Sequence, residues 1–276
     1  MAKSIMIQGT ASGVGKTILT IALCRIFKQD GYTVAPFKAQ NMTMNTALLE
    51  NDDEIAVSQI LQARAAGAQP CALMNPIVLK PAPDRQGTQV ILNGRPYDTI
   101  NAYNYKEIKQ SLIPEVMKAY TALASKADII VIEGAGSPVE LNLNKDDLVN
   151  MGLAKIVNAP VLLAADIDRG GVFASLFGTV GLFDESERGY VKATIVNRFK
   201  GDIAYFTDGV AILEKITGLP VAGVVPYIVF DLPEEDGAAP DTELRDDYES
   251  QFNFIADRVR EAMNMSLINK ILNSGV

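Results

Sequence analysis

The chain has 276 residues, 48% of them hydrophobic and 21% charged, a formal net charge of −8 and no histidine. That size and apolar content suffice for one large domain or one and a half. The missing histidine removes Ser-His-Asp and Cys-His catalysis and the common zinc sites, leaving lysine, carboxylates, Mg²⁺ and backbone dipoles to carry any chemistry. No stretch reaches the roughly 18 uninterrupted apolar residues that span a bilayer. The opening Met-Ala-Lys and its short apolar run are too brief for a signal peptide. Two cysteines, Cys24 and Cys71, form neither a disulfide framework nor a metal spacing. The expected compartment is therefore a reducing cytoplasm. The charge is local: residues 231 to 249 hold nine acids against one base, Arg245, which equals the whole excess. No basic stripe for nucleic acid exists, and the acidic run reads as a solvated linker.

Residues Ser4–Gln8 form an apolar run that reads as the first strand. Gly9-Thr-Ala-Ser-Gly-Val-Gly-Lys-Thr17 follows it, and then a helix whose apolar face is Ile18, Leu19, Ile21, Ala22, Leu23 and Ile26. Strand, glycine turn and helix in that order make a phosphate cradle. The backbone of Thr10, Ser12, Gly13, Val14 and Gly15 is placed to hold a polyphosphate, with Lys16 reaching the β- and γ-phosphates as a loop lysine facing solvent. The Thr17 hydroxyl suits Mg²⁺. The usual motif has a glycine at the position of Thr10, whereas here it stands one residue earlier, at Gly9.

Further strands are predicted at Thr33–Phe37, Ile129–Glu133, Val161–Asp166, Val191–Asn197 and Val221–Pro226. Most are continuously apolar and several are separated by helical patterns, which specifies an α/β, mostly parallel, doubly wound sheet flanked by helices. Ligands in such sheets lie beyond the carboxyl ends of the strands. Lys38 follows the second strand there. Glu133, before Gly-Ala-Gly136, ends the third and can face Mg²⁺ across the phosphate loop. Asn197, Arg198 and Pro226 lie where a purine can rest, and an asparagine can read the adenine edge as donor and acceptor.

From Asn45 to Tyr105 the alternation breaks. Ile55–Ala68 reads as a helix, Ile77–Lys80 and Thr88–Leu92 as short strands, and prolines at 76, 81, 83 and 96 punctuate the segment, which reads as an elaboration over the active face. The expected organisation is a synthetase domain over 1–230 carrying this insertion at about 45–105, the acidic linker over 231–248, and a C-terminal helical tail over 249–276. In the tail Phe252, Ile255, Val259 and Met263 mark one amphipathic helix, and Ser266 can cap a last short one.

Several ordered strings resemble one family: Gln8-Gly-Thr with Val14-Gly-Lys, Ala35-Pro-Phe-Lys-Ala-Gln-Asn-Met42, Met74-Asn-Pro with Leu79-Lys-Pro81, and Glu133-Gly-Ala-Gly-Ser-Pro138. Val149-Asn-Met-Gly-Leu-Ala154, Ala165-Asp-Ile-Asp-Arg-Gly-Gly-Val-Phe-Ala174 and Asp231-Leu-Pro-Glu-Glu-Asp236 continue the match. From Met6 to about Asp236 the chain resembles the ATP-binding synthetase domain of the adenosylcobyric acid synthases, corrinoid amide-forming enzymes of cobalamin biosynthesis. They fall in the dethiobiotin-synthetase-like amidoligase class of P-loop NTPases, which shares the shifted glycine.

The resemblance implies ATP- and Mg²⁺-dependent amidation of side-chain carboxylates on adenosylcobyrinic acid a,c-diamide through an acyl phosphate. Lys16 and Lys38 would be catalytic, Thr17, Glu54 and Glu133 would hold the metal, and Asn197 would read adenine. Gln40, Asn41, Gln59, Asn75, Lys80, Glu140, Asn142, Asp147 and Asn150 would line the corrinoid site or, equally, serve as structural hydrogen-bonding groups. The family usually also carries a glutaminase domain with a Cys-His-Glu triad, which a chain without histidine cannot build. The expected nitrogen source is therefore ammonia or a separate glutaminase, and the expected partners are the corrinoid and a second copy of the chain as a homodimer, with no nucleic acid or membrane. The alternatives are the same chemistry on another carboxylic acid and a nucleotide-binding module without turnover.

Overall fold

The computed structural model describes residues 2–81, 87–100, 102–141, 147–233, 244–245 and 247–276, with backbone alone for 102–107. Its centre is a six-stranded sheet of Lys3–Gly9 (β1), Val34–Phe37 (β2), Ile129–Glu133 (β9), Val161–Asp166 (β10), Val191–Phe199 (β11) and Val221–Pro226 (β12). The order is β12-β11-β10-β1-β9-β2, and every pairing is parallel. Parallel strands covered on both faces must be apolar on both, and β9 and β10 are buried along their whole lengths. Chain direction across the sheet reverses beside β1, so the phosphate loop leaves β1 at the crevice next to the end of β10.

Alternation along β1 sends Ile5 and Ile7 to one face and Met6 to the other. The Ile5 face is covered by Lys16–Gln29 (α1), part of Val57–Ala66 (α2), Glu249–Ala262 (α8) and Met265–Ser274 (α9). The Met6 face is covered by Ala102–Ala124 (α3), Met151–Val157 (α4), Val172–Leu182 (α5) and Thr207–Thr217 (α7), with the short Glu185–Arg188 (α6) leading into β11. The C-terminal helices belong to this core. Phe252, Ile255, Val259 and Ile268 are at most 1% exposed, and Arg25 on α1 binds Asn253 and Glu249 of α8. Fully burying one such aromatic or aliphatic side chain contributes about 1.5–3 kcal/mol.

The insertion builds a second sheet, in the order β3-β6-β7-β8, from Gln40–Met42 (β3), Ile77–Pro81 (β6), Thr88–Leu92 (β7) and Arg95–Ile100 (β8). A hairpin of Thr46–Leu48 (β4) and Glu54–Ala56 (β5) stands before α2. The helix expected over 55–68 thus begins two residues later, because Ile55 and Ala56 pair with the hairpin. Gly67, at φ 67°, ends it in the left-handed conformation. The last helix is capped by Asn264, whose Oδ1 accepts from Leu267 N at 3.0 Å, and not by Ser266, which lies inside the helix. Most of the acidic linker lies outside the described residues; at its borders Arg245 pairs with Asp231 at 2.6 Å. Among the described residues no helix is long and apolar enough to cross a membrane.

Candidate functional site

The phosphate loop is shaped by three glycines. A Cβ on Gly9 would lie 2.5 Å from Val14 Cγ2, so the loop closes on this residue and not on the next. Thr10 then only has to donate its backbone N–H to Ala164 O at 2.9 Å, which any residue can do. The shifted spacing follows from that packing. Gly13 and Gly15 have φ of 72° and 93°, and a Cβ on Gly15 would meet Asn197 Nδ2 at 2.2 Å. Ser12 is exposed at the tip and Val14 is buried beneath it.

Lys16 is 7% exposed, not solvent-facing as a loop lysine is expected to be. It is the first residue of α1, and its Nζ donates to Ala11 O and Gly136 O at 3.0 Å each. The ammonium thus bridges the phosphate loop and the glycine turn after β9.

Glu133 organises the rest of the site. It is 1% exposed; its Oε1 accepts from Lys38 Nζ at 2.8 Å and from Thr17 Oγ1 at 3.0 Å. Its Oε2 accepts from Gln62 Nε2. Lys38 is 4% exposed, and its backbone is held by its N–H on Met74 O and by Asn75 Nδ2 on its carbonyl, both at 2.9 Å. A buried carboxylate with a cation and two further donors is fully compensated, the condition for keeping its charge out of water. Its charge also acts on Cys24: burial pushes that thiol far above the ordinary value of 9.0, and Glu133 adds to the rise.

Gln62 was missed by sequence reasoning. Only a helical register placing it one turn from Gln59, on the side of α2 facing β9, could have found it. Gln59 Nε2 donates to Gln62 Oε1 at 3.0 Å. An ionised carboxylate only accepts, so Gln62 must turn its NH₂ to Glu133 and its oxygen to Gln59.

Arg198, Pro226 and Asn197 border a cleft of about 470 Å³, together with Gly13, Gly15, Lys16, Thr17, Arg169 and Tyr227. Asn197 is buried and its Nδ2 donates to Val14 O at 2.8 Å, so its amide donor holds the loop in this structure. Arg198, at φ 61°, pairs with Asp166 at 2.8 Å.

The other sequence-derived positions spread over the insertion and the turn after β9. Glu54 Oε1 meets Lys80 Nζ and Thr46 Oγ1, each at 2.5 Å. Asn41 Nδ2 donates to Ser58 Oγ at 3.2 Å, and Gln40 is half-buried on β3. Glu140 is exposed, and Asn142 lies outside the described residues. Asp147 accepts from the N–H groups of Val149, Asn150 and Gly152 at 2.8–3.0 Å and thereby caps α4. Asn150 clamps Ala135, donating to its carbonyl at 2.6 Å and accepting from its N–H at 3.2 Å. Both residues therefore make structural hydrogen bonds that set the turn facing Lys16.

Thr17 Oγ1 and Glu133 Oε1 are hard oxygen donors 3.0 Å apart. No group of three Asp, Glu, His or Cys residues able to hold a metal exists among the described residues. This donor set fits Mg²⁺, which keeps several waters and takes other oxygens from phosphates, and does not fit a metal that needs an all-protein cage.

A parallel sheet with a glycine loop closing on a buried lysine, a hydroxyl and a strand-end carboxylate defines a P-loop nucleotide-binding protein. The chain belongs to the CbiA family, the CobQ/CobB/MinD/ParA nucleotide binding domain, whose model matches residues 5–236. It is 55% identical over 236 residues to the cobyric acid synthase of Ruminiclostridium cellulolyticum, covering 86% of this chain and 46% of that protein. Over 239 residues it is 50% identical to the cobyric acid synthase of Streptococcus sanguinis, covering 87% and 48%. The chain thus spans about half the length of the curated relatives it matches. Among solved structures, the MinD cell division protein of Aquifex aeolicus aligns with a TM-score of 0.46 at 16% identity over 94% of this chain and 98% of that one.

Proposed function

We propose that this chain uses ATP to activate side-chain carboxylates of a corrinoid for amidation, converting adenosylcobyrinic acid a,c-diamide toward adenosylcobyric acid. The observation carrying this reading is the buried Lys38–Glu133–Thr17 cluster beside Lys16, in a chain 50–55% identical to cobyric acid synthases. Amide formation from a carboxylate needs a better leaving group than oxide. The carboxylate oxygen attacks the γ-phosphorus, the bond to the β,γ-bridging oxygen breaks, and ADP leaves. Ammonia then attacks the acyl carbon, loses a proton and expels phosphate.

Lys16, held between the loop and the Gly136 turn, offsets negative charge on the transferring group without reorganising. Lys38 adds a second positive charge at the strand edge and keeps Glu133 oriented. Thr17 and Glu133 would hold Mg²⁺, which supplies charge neutralisation on the phosphates when bound. Glu54, already paired with Lys80, is a weaker third ligand. Gly13, Val14 and Gly15 cradle the phosphates, and Arg198 and Pro226 border the base. Gln40, Asn41, Gln59, Asn75, Lys80 and Glu140 are the proposed corrinoid-side positions.

These 276 residues contain no histidine and hence no Cys-His pair to release ammonia from glutamine. The nitrogen therefore comes as ammonia from outside this segment. Purified chain with Mg-ATP, the corrinoid diamide and ammonium should release ADP and yield products one mass unit lighter per amide. Glutamine alone should yield none. Corrinoid-independent ADP release, or none, would overturn the reading.

A further inference from the structure

Arg169 follows β10 in the loop before α5, across the cleft from the phosphate loop. Its side chain is 77% exposed. Its Nε lies 3.9 Å from Asp166 Oδ2, an oxygen that already accepts from Arg198 Nη1 at 2.8 Å. Asp166 is further engaged by Asp168 N on its other oxygen at 2.8 Å. The stronger partner thus takes the carboxylate, and Arg169 is held loosely. The next two residues, Gly170 and Gly171, have φ of 79° and 73°, and a Cβ on either would meet nothing within 4 Å. The space beside the two glycines is therefore open, and the Arg169 side chain can swing through it from a backbone anchored by Gly170 N–H on Ile167 O at 3.0 Å and by the Asp168–Lys200 pair at 2.6 Å. On the cleft side, Arg169 Nη2 is the nearest group to the position a Gly13 Cβ would take, at 4.0 Å.

The fixed cations differ in kind. Lys16 is tied to two carbonyls and Lys38 to Glu133. Both are buried on the floor beside the sheet, while a transferring γ-phosphoryl group also exposes oxygens toward the opposite wall. A guanidinium offers a planar fork that meets two phosphate oxygens at once.

We propose that Arg169 closes across the phosphate loop and contacts the γ-phosphoryl oxygens during transfer, a catalytic arginine supplied from the chain's own β10–α5 loop. It donates hydrogen bonds and charge only. The bond formed is carboxylate oxygen to phosphorus, the bond broken is phosphorus to the bridging oxygen, and no proton leaves the guanidinium. The inference deepens the amidation reading by naming the residue that stabilises its first step.

The test compares wild type, Arg169→Ala and Arg169→Lys in affinity for Mg·ADP and for Mg·ADP with aluminium fluoride, which mimics the transferring group. An interaction made only with the transferring group should leave ADP affinity within threefold. It should lower affinity for the fluoride complex in Arg169→Ala by about 10²–10³-fold. Arg169→Lys should recover less than a tenth of that loss, and added guanidinium should restore part of it. With the corrinoid diamide, kcat should fall while KM for the corrinoid holds. Equal fluoride-complex affinity in wild type and Arg169→Ala would overturn the inference. Selective loss of the fluoride complex with no corrinoid turnover in wild type would support Arg169 and overturn the corrinoid reading alone.

Discussion

Lys38 Nζ and Glu133 Oε1 stand 2.8 Å apart at the ends of two neighbouring strands, with side chains 5% and 0% exposed. Because β2 and β9 are in register, Phe37 beside Ile132, the next residue along each strand brings the two charges together. Removing one partner leaves the other charged and dry, which typically costs about 3–5 kcal/mol. Lys38→Met should therefore lose turnover and about that much stability. The double variant Lys38→Met, Glu133→Leu should recover part of the stability and none of the activity. Chemical denaturation of wild type, Lys38→Met, Glu133→Leu and the double variant checks this; a double variant less stable than Lys38→Met would contradict it.

Lys16→Ala should abolish ADP release and also weaken the ligand-free fold. Two carbonyls, those of Ala11 and Gly136, lose a charged donor, so a loss of about 1–3 kcal/mol is expected. An unchanged melting temperature would mean that the lysine does not bridge the two loops.

Gln62→Leu removes a donor from Glu133 while preserving the volume of α2's inner side. A residue that orients a ligand to a metal typically matters about 10–100-fold. Mg²⁺ needed for half-maximal ADP binding should rise by that factor in calorimetry, with ADP affinity at saturating Mg²⁺ nearly unchanged. Gln62→Glu should be worse, since two carboxylates would then face each other.

The shifted glycine gives a clean contrast. Gly9→Ala places a methyl 2.5 Å from Val14 Cγ2 and should reduce nucleotide affinity by at least tenfold. Thr10→Gly, which restores the usual spacing, should stay within threefold. Equal effects in a fluorescent-nucleotide titration would show that the loop does not close on Gly9.

Cys24 supplies a pH dependence. Its thiol pKa is raised in the folded chain above the ordinary 9.0, first by burial and then by Glu133. The folded state keeps the proton where the unfolded state releases it, so this contribution is intact below about pH 9 and is lost as pH rises beyond it. The extra slope approaches about 1.4 kcal/mol per pH unit. Denaturation curves at pH 8 and 10 should show a steeper loss for wild type than for Cys24→Ala. The thiol should also resist alkylation until the protein unfolds.

The central sheet was legible because its strands are buried on both faces, so β9 and β10 appear as unbroken apolar runs closed by Glu133 and Asp166. The phosphate loop and the strand-end residues followed from that pattern, and Lys38 and Glu133 do meet. Other features depend on tertiary contacts. Ile55 joins a hairpin because Thr46 to Leu48 lie opposite it, and no local propensity encodes that pairing. Gln62 matters only because α2 packs against α1 and β2, which brings its side chain to Glu133 at the end of the neighbouring β9. For Asp147 and Asn150 the sequence leaves a corrinoid-lining and a structural role equally open, and only the fold shows their hydrogen bonds to the start of α4 and the Ala135 turn. The burial of Lys16 depends on Gly136, 120 residues away in sequence.

The acyl phosphate is the centre of the account, and oxygen transfer tests it most directly. A corrinoid diamide with ¹⁸O in its free carboxylates would be amidated with Mg-ATP and ammonium, and the released phosphate analysed by mass. The account predicts one ¹⁸O in phosphate for each amide formed. Amide formation with phosphate free of ¹⁸O would contradict it.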